Sequence, residues 1–349
     1  MTTTVRRTSV AVLSLALGAA ALVGIAPTAH AAPPEGGAFA GTTFDHDGDP
    51  TCALVDTGNG DEVALPSNGV PVKRSYSTTG TVTDSNDPED VTRLTASVTG
   101  TARATTVGGT LGTFAVTSNA RATASATQGA SSSCIGEAEA TAGAVVQFQL
   151  TTPGWLTITT ATSRGGTAQI AVTSADDGET AHAEINQDVQ GTSTRRVYLP
   201  VGMFAIYVNH GVTAYTGSDA RPSAAASLTT TASFVPAGSA TAPAAGAAAP
   251  YVALGARGCA ARTVAATFPS AKLRSKIATT TFYVNGVRRA VVKGGPTKPV
   301  VLGAVPTGAV TVKAVVQLKS TKKKTKKGKK PKTVKGKVLT VSRSYVGCA

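Results

Sequence analysis

Thr280–Lys293 reads TTFYVNGVRRAVVK: a run of β-branched and aromatic residues, the pair Asn285-Gly286, and a second Val-rich run. Asn and Gly accept the positive φ that a type I′ turn needs at both central positions, so the stretch predicts a β-hairpin. Downstream, Val310, Val312, Ala314, Val316 and Leu318 alternate with Thr311, Lys313 and Gln317. That period of two belongs to a strand with one buried face. Val338–Ser344 then returns toward Cys348, so residues 251–349 read as one small all-β domain.

The connection between those last two strands is Lys319–Lys337, KSTKKKTKKGKKPKTVKGK. It holds eleven lysines and no acid, and repulsion among them favours an extended, solvated loop at one end of the domain. The candidate polyanion-binding residues are Lys319, Lys322, Lys323, Lys324, Lys326, Lys327, Lys329, Lys330, Lys332, Lys335 and Lys337. Such a field attracts polyanions at long range. No aromatics are interleaved for base stacking, so nucleic acid would be held by phosphate without sequence preference. Lys also lacks the planar fork of Arg, which suits a diffuse polymer better than a shaped pocket. The bland alternative is a solvated loop with no dedicated ligand.

Charge divides the rest of the chain. Residues 32–249 carry 9 Lys+Arg against 19 Asp+Glu, net −10, whereas residues 250–349 carry 22 Lys+Arg and no acid, net +22. Between them VPAGSATAPAAGAAAP, Val235–Pro250, has a composition suited to a semi-extended linker. The expected division is an acidic domain at 32–235, a linker at 236–250 and a basic domain at 251–349. Of the three pairings open to Cys52, Cys134, Cys259 and Cys348, only Cys52–Cys134 with Cys259–Cys348 keeps each bridge inside one domain. That is the expected pairing, and the chain-entropy model gives each long loop roughly 4 to 5 kcal/mol. No close Cys pair with His ligands suggests a metal site.

The acidic half is rich in Thr, Val, Ala, Ser and Gly, with frequent Gly and Pro punctuation, which favours short strands over helices. VVQFQL (Val145–Leu150), WLTITT (Trp155–Thr160), TAQIAV (Thr167–Val172), RVYLPV (Arg196–Val201) and FAIYV (Phe204–Val208) are the clearest strands. The fold class is therefore all-β, with two antiparallel β-sandwich domains.

Three resemblances refine this. Tyr198–Val208, YLPVGMFAIYV, preceded by VVQFQL and TPGWLTITT, resembles the jelly-roll-like accessory domains found beside secreted bacterial peptidases. It covers about 90 residues, 144–234, and implies a noncatalytic module, although no peptidase domain accompanies it here. Cys259, Phe282–Gly286, Pro306-Thr307-Gly308 and Arg343–Cys348 together resemble the C-terminal immunoglobulin-like domains of secreted actinobacterial proteins. That likeness covers about 100 residues and implies a structural or binding module; the lysine-rich insertion departs from it. The lysine segment itself is similar to those of mycobacterial surface adhesins that bind sulfated glycans.

A few further residues have the side chains that site chemistry would need. Asp45, Asp47, Asp49 and Asp56 have spacings like those of a calcium loop, but Pro50 stands where Gly belongs and the twelfth position is Asp. A solvated polar turn before the first strand is the expectation. Asp84–Asp90, DSNDPED, reads as a turn between strands, and His182-Ala183-Glu184 as a surface turn lacking the cysteines of a deaminase site. Trp155, the single Trp, reads as a core residue. No His-Glu-x-x-His, Gly-x-Ser-x-Gly or phosphate-cradling motif is present, so neither a catalytic residue nor a cofactor is expected.

Residues 1–31 read as an export signal: Arg6-Arg7, an apolar run from Val10 to Ala26, then Ala29-His30-Ala31 as cleavage site. Thr8-Ser9-Val10 fits the twin-arginine motif poorly, so Sec export is expected, with no transmembrane anchor. The expected protein is secreted or held noncovalently at the cell surface. Its expected function is binding of anionic polymers such as wall glycopolymers, sulfated glycans or nonspecific nucleic acid. The alternatives are a secreted hydrolase with a noncatalytic basic anchor, and a purely structural surface protein whose domains dock on one another or on neighbours.

Overall fold

The computed structural model describes residues 36–47, 50–163, 165–175, 181–187, 190–323 and 332–348. The segment read as an export signal lies outside them. Among the described residues, the first half supplies thirteen strands. They begin with β1 (Gly36–Asp47), β2 (Cys52–Val55), β3 (Gly58–Ala64), β4 (Val72–Asp84), β5 (Val91–Val107) and β6 (Thr110–Ala126). Then follow β7 (Ile135–Leu150), β8 (Gly154–Thr162), β9 (Thr167–Ser174), β10 (Ala181–Gln187), β11 (Gly191–Leu199), β12 (Gly202–Tyr215) and β13 (Ser223–Pro236). They form two antiparallel sheets, β10-β9-β12-β7-β1-β3 and β11-β8-β13-β6-β5-β4-β2. From β6 onward the chain changes sheet at every connection except β9–β10. This is the wrapping of a jelly-roll-like sandwich.

Alternation builds the core. Along β5, Leu94, Ala96, Val98, Ala102 and Ala104 are buried, while Arg93, Thr95 and Arg103 face solvent. The inner layer is unusually small-sided: Ala120, Ala122 and Ala124 of β6 face Ala138, Ala140, Ala142 and Ala144 of β7. Where Gly100 meets Ala142, a Cβ on the glycine would lie 2.8 Å from the alanine's Cβ. The close approach of the sheets there requires glycine.

A buried histidine bridges the two sheets within this core. His210 on β12 is fully buried and bonds Ser118 Oγ on β6 (3.1 Å) and Thr230 Oγ1 on β13 (2.8 Å). The Cys52–Cys134 disulfide closes one end. Beside it the DSNDPED segment is more than a turn, because its two end carboxylates are buried. Asp84 accepts from Ser133 Oγ (2.7 Å) and the Asn86 amide (2.8 Å), and Asp90 from Ser132 Oγ (2.6 Å) and the Ser133 amide (2.8 Å). These bonds hold both carboxyls below the usual carboxylate range: the Ser133 hydroxyl leads for Asp84, and for Asp90 the serine bonds outweigh the opposing effect of burial.

Two stretches differ from the turns that the sequence predicts. Asp45, His46 and Asp47 are not a turn before the first strand; they are the last residues of β1. His182-Ala183-Glu184 is not a surface turn either: it lies in edge strand β10, with the His182 ring edge-on to Phe204 at 5.1 Å.

The second half contains β14 (Ala253–Gly258), β15 (Thr263–Thr267), α1 (Ala271–Arg274), β16 (Ile277–Val284), β17 (Val287–Lys293), β18 (Val300–Leu302) and β19 (Val310–Leu318). The short strands β20 (Thr321–Lys323) and β21 (Lys332–Val334) precede β22 (Val338–Tyr345). A three-stranded sheet, β14-β15-β18, and a four-stranded one, β17-β16-β19-β22, enclose a separate core that includes Phe268, Phe282, Val312 and Tyr345. The Asn285-Gly286 turn has φ of 47° and 79°, as the hairpin sequence predicts. Cys259–Cys348 is the second disulfide. Beside it, Arg257 is buried with its guanidinium on the carbonyls of Pro306, Thr307, Gly308 and Val346.

Residues 236–250 lie antiparallel along β22. Backbone amides of Thr241, Ala245 and Ala248 donate to Ser344, Ser342 and Thr340, each at 2.9 Å, and Ala248 is fully buried in the second core. The Ala/Pro/Gly segment thereby covers a sheet edge that would otherwise be open. Among the described residues, no helix is long and apolar enough to cross a membrane.

Candidate functional site

The lysine-rich connection leaves the four-stranded sheet between Leu318 and Val338. The Leu318 amide donates to the Lys337 carbonyl (2.9 Å), and Gln317 Nε2 donates to the carbonyls of Gly336 (2.8 Å) and Leu318 (3.1 Å). Gly336 packs so tightly on Leu318 that a Cβ would overlap its carbonyl oxygen. Beyond this neck β20 and β21 pair as a two-stranded ribbon, with Thr321 opposite Val334 and Lys323 opposite Lys332. Lys319, Lys322, Lys335 and Lys337 are exposed. Lys324, Lys326, Lys327, Lys329 and Lys330 lie outside the described residues.

The fold adds cations that the sequence reading did not include. The N-terminal end of β16, the C-terminal ends of β17 and β19, and the start of β22 meet at one edge of the sheet, since Thr279 pairs with both Lys293 and Gln317, and Gln317 pairs with Val338. Lys293 therefore stands at the same end as the hairpin. So does Lys276, whose carbonyl accepts from the Lys319 amide at 2.8 Å. Lys272 and Arg274 on α1 precede Lys276 by four and two residues. The site is thus a basic pole made of the hairpin and of the sheet end beneath it. Residues 250–349 contain no carboxylate side chain, so no cation here has an acidic side chain as partner within its own domain.

The opposite end of the same sheet meets the first sandwich. Trp155 is not the core residue expected: it is half-buried on the outer face of β8. Its ring lies edge-on to Tyr198 (5.3 Å), under the Arg196 guanidinium (4.7 Å), and its Nε1 donates to the Gly347 carbonyl at 2.8 Å. Val310 pairs with Tyr345 near this junction, and Gln317 with Val338 at the pole. Seven residues of strand therefore put the basic pole ~23 Å away from Trp155's end of the domain.

Among the described residues, the calcium candidates Asp45, Asp47 and Asp56 are not gathered into a metal-ligand cluster. Asp45 and Asp47 are exposed at the end of β1, Asp56 lies in the β2–β3 turn accepting from the Gly58 amide at 2.9 Å, and Asp49 is outside the described residues. Asp45 stands opposite Glu137 across β1 and β7. Burial, then Asp45 and Asp47, raises the pKa of Glu137; burial, then Glu137, raises that of Glu139. These two carboxylates stand side by side on an open sheet face.

These features define a class: a disulfide-bonded, two-sandwich β protein with one strongly basic pole. No protein-family model matches the chain, and no curated protein matches it. Among solved structures it is similar to the adhesin domain of Epf from Streptococcus pyogenes, at 11% identity and a TM-score of 0.21, over 85% of this chain and 91% of that one. At that score the likeness assigns neither family nor function.

Proposed function

We propose that the chain is an exported, noncatalytic binding protein of the cell envelope or extracellular space, which engages anionic polymers through the lysine hairpin. Wall glycopolymers, sulfated glycans and nonspecifically held nucleic acid share the chemistry it would recognise: closely spaced anions on a flexible backbone. The observation that carries the reading is the gathering of Lys272, Lys276 and Lys293 at the sheet end that bears Lys319, Lys322, Lys335 and Lys337, in a domain without a carboxylate side chain. Each lysine brought near an anionic surface contributes on the order of 1 kcal/mol at low salt. Two disulfides fit an oxidising compartment, and the Arg6-Arg7 start with the Ala29–Ala31 boundary fits Sec export.

The test compares the full chain with a variant in which 322–332 is replaced by a Gly/Ser loop, binding each to purified cell wall and to heparin. Retention of wild type and release of the variant is the expected outcome. Equal binding by both, or binding by neither, removes the hairpin from the function.

A further inference from the structure

We propose that the outward face of the seven-stranded sheet is a second, independent binding site, for linear glycans that carry periodic acidic groups. Its basis is a segregation of charge that the domain's net value of −10 conceals. Strands of the six-stranded sheet bear seven carboxylates, from Asp45 to Glu184, and no Lys or Arg. Strands of the seven-stranded sheet bear seven cations and a single acid, the buried Asp84. Lys73, Arg93, Arg103, Arg121 and Arg196 have outward parity, whereas Arg74 turns inward to Asp61 of β3 (3.6 Å) and Arg195 shares the parity of the buried Leu199. One outer face of the sandwich is therefore acidic and the other basic.

On the basic face, strand register lines up hydroxyls in rows. Thr79, Thr95, Thr123 and Ser223 form one row, Ser77, Ser97, Arg121 and Ala225 the next, and Ser75, Thr99, Asn119 and Ser227 a third. The second and third rows line an open depression of about 690 Å³. Some of these groups bond each other, Ser75 Oγ to Thr99 Oγ1 at 3.1 Å and Ser227 Oγ to Asn119 Oδ1 at 2.6 Å. A hydroxyl both donates and accepts, so each keeps capacity for a ligand hydroxyl. Arg93, Arg121, Lys73 and Arg103 are all exposed; the first three stand at or opposite positions 93, 97 and 101 of β5, a step of four residues or ~13 Å, and Arg103 follows two residues on along the same face.

The composition of the face selects the ligand class. Among the described residues, no exposed large apolar side chain falls in these rows, whereas a protein partner would need apolar or aromatic anchors. Stacked bases would need an aromatic platform, which the rows also lack. A neutral polysaccharide would have no use for cations repeated along the strands. Planar guanidiniums spaced among hydroxyls match a sugar polymer whose carboxylates, sulfates or phosphates recur at intervals, the Arg fork taking the acid and the hydroxyl rows the sugar.

The test uses the full chain with 322–332 already replaced by a Gly/Ser loop, so the hairpin's eight central lysines cannot contribute. The probes are hyaluronan, which has one carboxylate per disaccharide, neutral dextran, and polyphosphate, which has anions without sugar. Hyaluronan binding is expected, with no dextran binding. At least a tenfold loss is expected in Arg93→Ser/Arg103→Ser/Arg121→Ser, and an intermediate loss in the matching Arg→Lys variant, which keeps charge without the fork. All three arginines are exposed, so melting temperatures should stay unchanged. Undiminished hyaluronan binding by the serine variant, or none by its parent, overturns the proposal. Polyphosphate binding as tight as hyaluronan binding reduces the face to an ion exchanger and also overturns it. If instead the parent self-associates and the serine variant does not, the occupant is the acidic face of a second copy and the glycan assignment falls.

Discussion

Trp155 and Gly347, 192 residues apart in the chain, are joined by a hydrogen bond from the indole Nε1 to the carbonyl at 2.8 Å. Gly347 precedes Cys348, whose disulfide to Cys259 anchors it, and the Gly238 amide at the domain boundary donates to the same carbonyl at 3.4 Å. The junction between the sandwiches is thus fixed by one aromatic side chain on a sheet face and by the disulfide-held end of the second domain.

Trp155→Phe keeps an aromatic ring beneath Arg196 while removing the bond to Gly347 and part of the indole's contact area. A loss of about 1 kcal/mol is expected, read as a lower denaturant midpoint, together with faster proteolytic cleavage near residues 236–250. As the chain's single Trp, Trp155 also reports on its partner. Cys259→Ser/Cys348→Ser should shift its emission to the red, whereas an unchanged spectrum would mean that the end of the chain stays docked without the bridge.

His210 makes the fold sensitive to acid in a defined window. Burial pushes its pKa down from 6.5 to about 4, so the folded state holds it neutral while the unfolded chain takes up a proton. The resulting stability is complete above pH 6.5 and is lost as pH falls from 6.5 toward 4, by about 3 kcal/mol at most. Asp84 and Asp90, held below their ordinary value of 3.8, contribute a further loss only below that window. The measurement is unfolding free energy from pH 7 to 4 for wild type and His210→Gln. The difference between them should shrink with acid, and a constant difference would contradict the assignment.

The alanine-lined interior makes small-to-large changes costly. Gly100→Val would drive two methyl groups into Ala142 and should cost about 1 to 3 kcal/mol. Thr101→Val, one residue along on the outward face, should stay within about 0.5 kcal/mol. Equal melting temperatures for the two variants would show that the sheets are not in contact at that point.

The sequence announces some of this architecture and hides the rest for identifiable reasons. The β16–β17 hairpin was legible because Asn285-Gly286 and the flanking Val, Phe and Tyr signal turn and strands together. Strands β1, β4, β5 and β6 give weak signals, since their buried positions are often Ala, Gly or Thr and differ little in hydropathy from the exposed Ser and Thr. Residues 236–250 carry no side-chain pattern because they are held by backbone bonds to β22. Trp155 could have been placed: in WLTITT, Leu156 and Ile158 point inward, which turns Trp155 out with Thr157. The same parity in FAIYVNH turns His210 inward with Phe204, Ile206 and Val208. Lys272, Lys276 and Lys293 become part of the pole only through strand order, which no local pattern encodes.

The central claim is that the basic pole binds polyanions electrostatically, and the salt dependence of affinity tests it most directly. The measurement is log Kd for heparin against log salt concentration, for wild type, the 322–332 replacement, and Lys272→Ser/Lys276→Ser/Lys293→Ser. Wild type should show a steep line, each neutralised contact should reduce the slope by roughly 0.7 to 0.9 by analogy with nucleic acids, and both variants should be shallower. A wild-type affinity indifferent to salt, or slopes unchanged in both variants, would contradict the account.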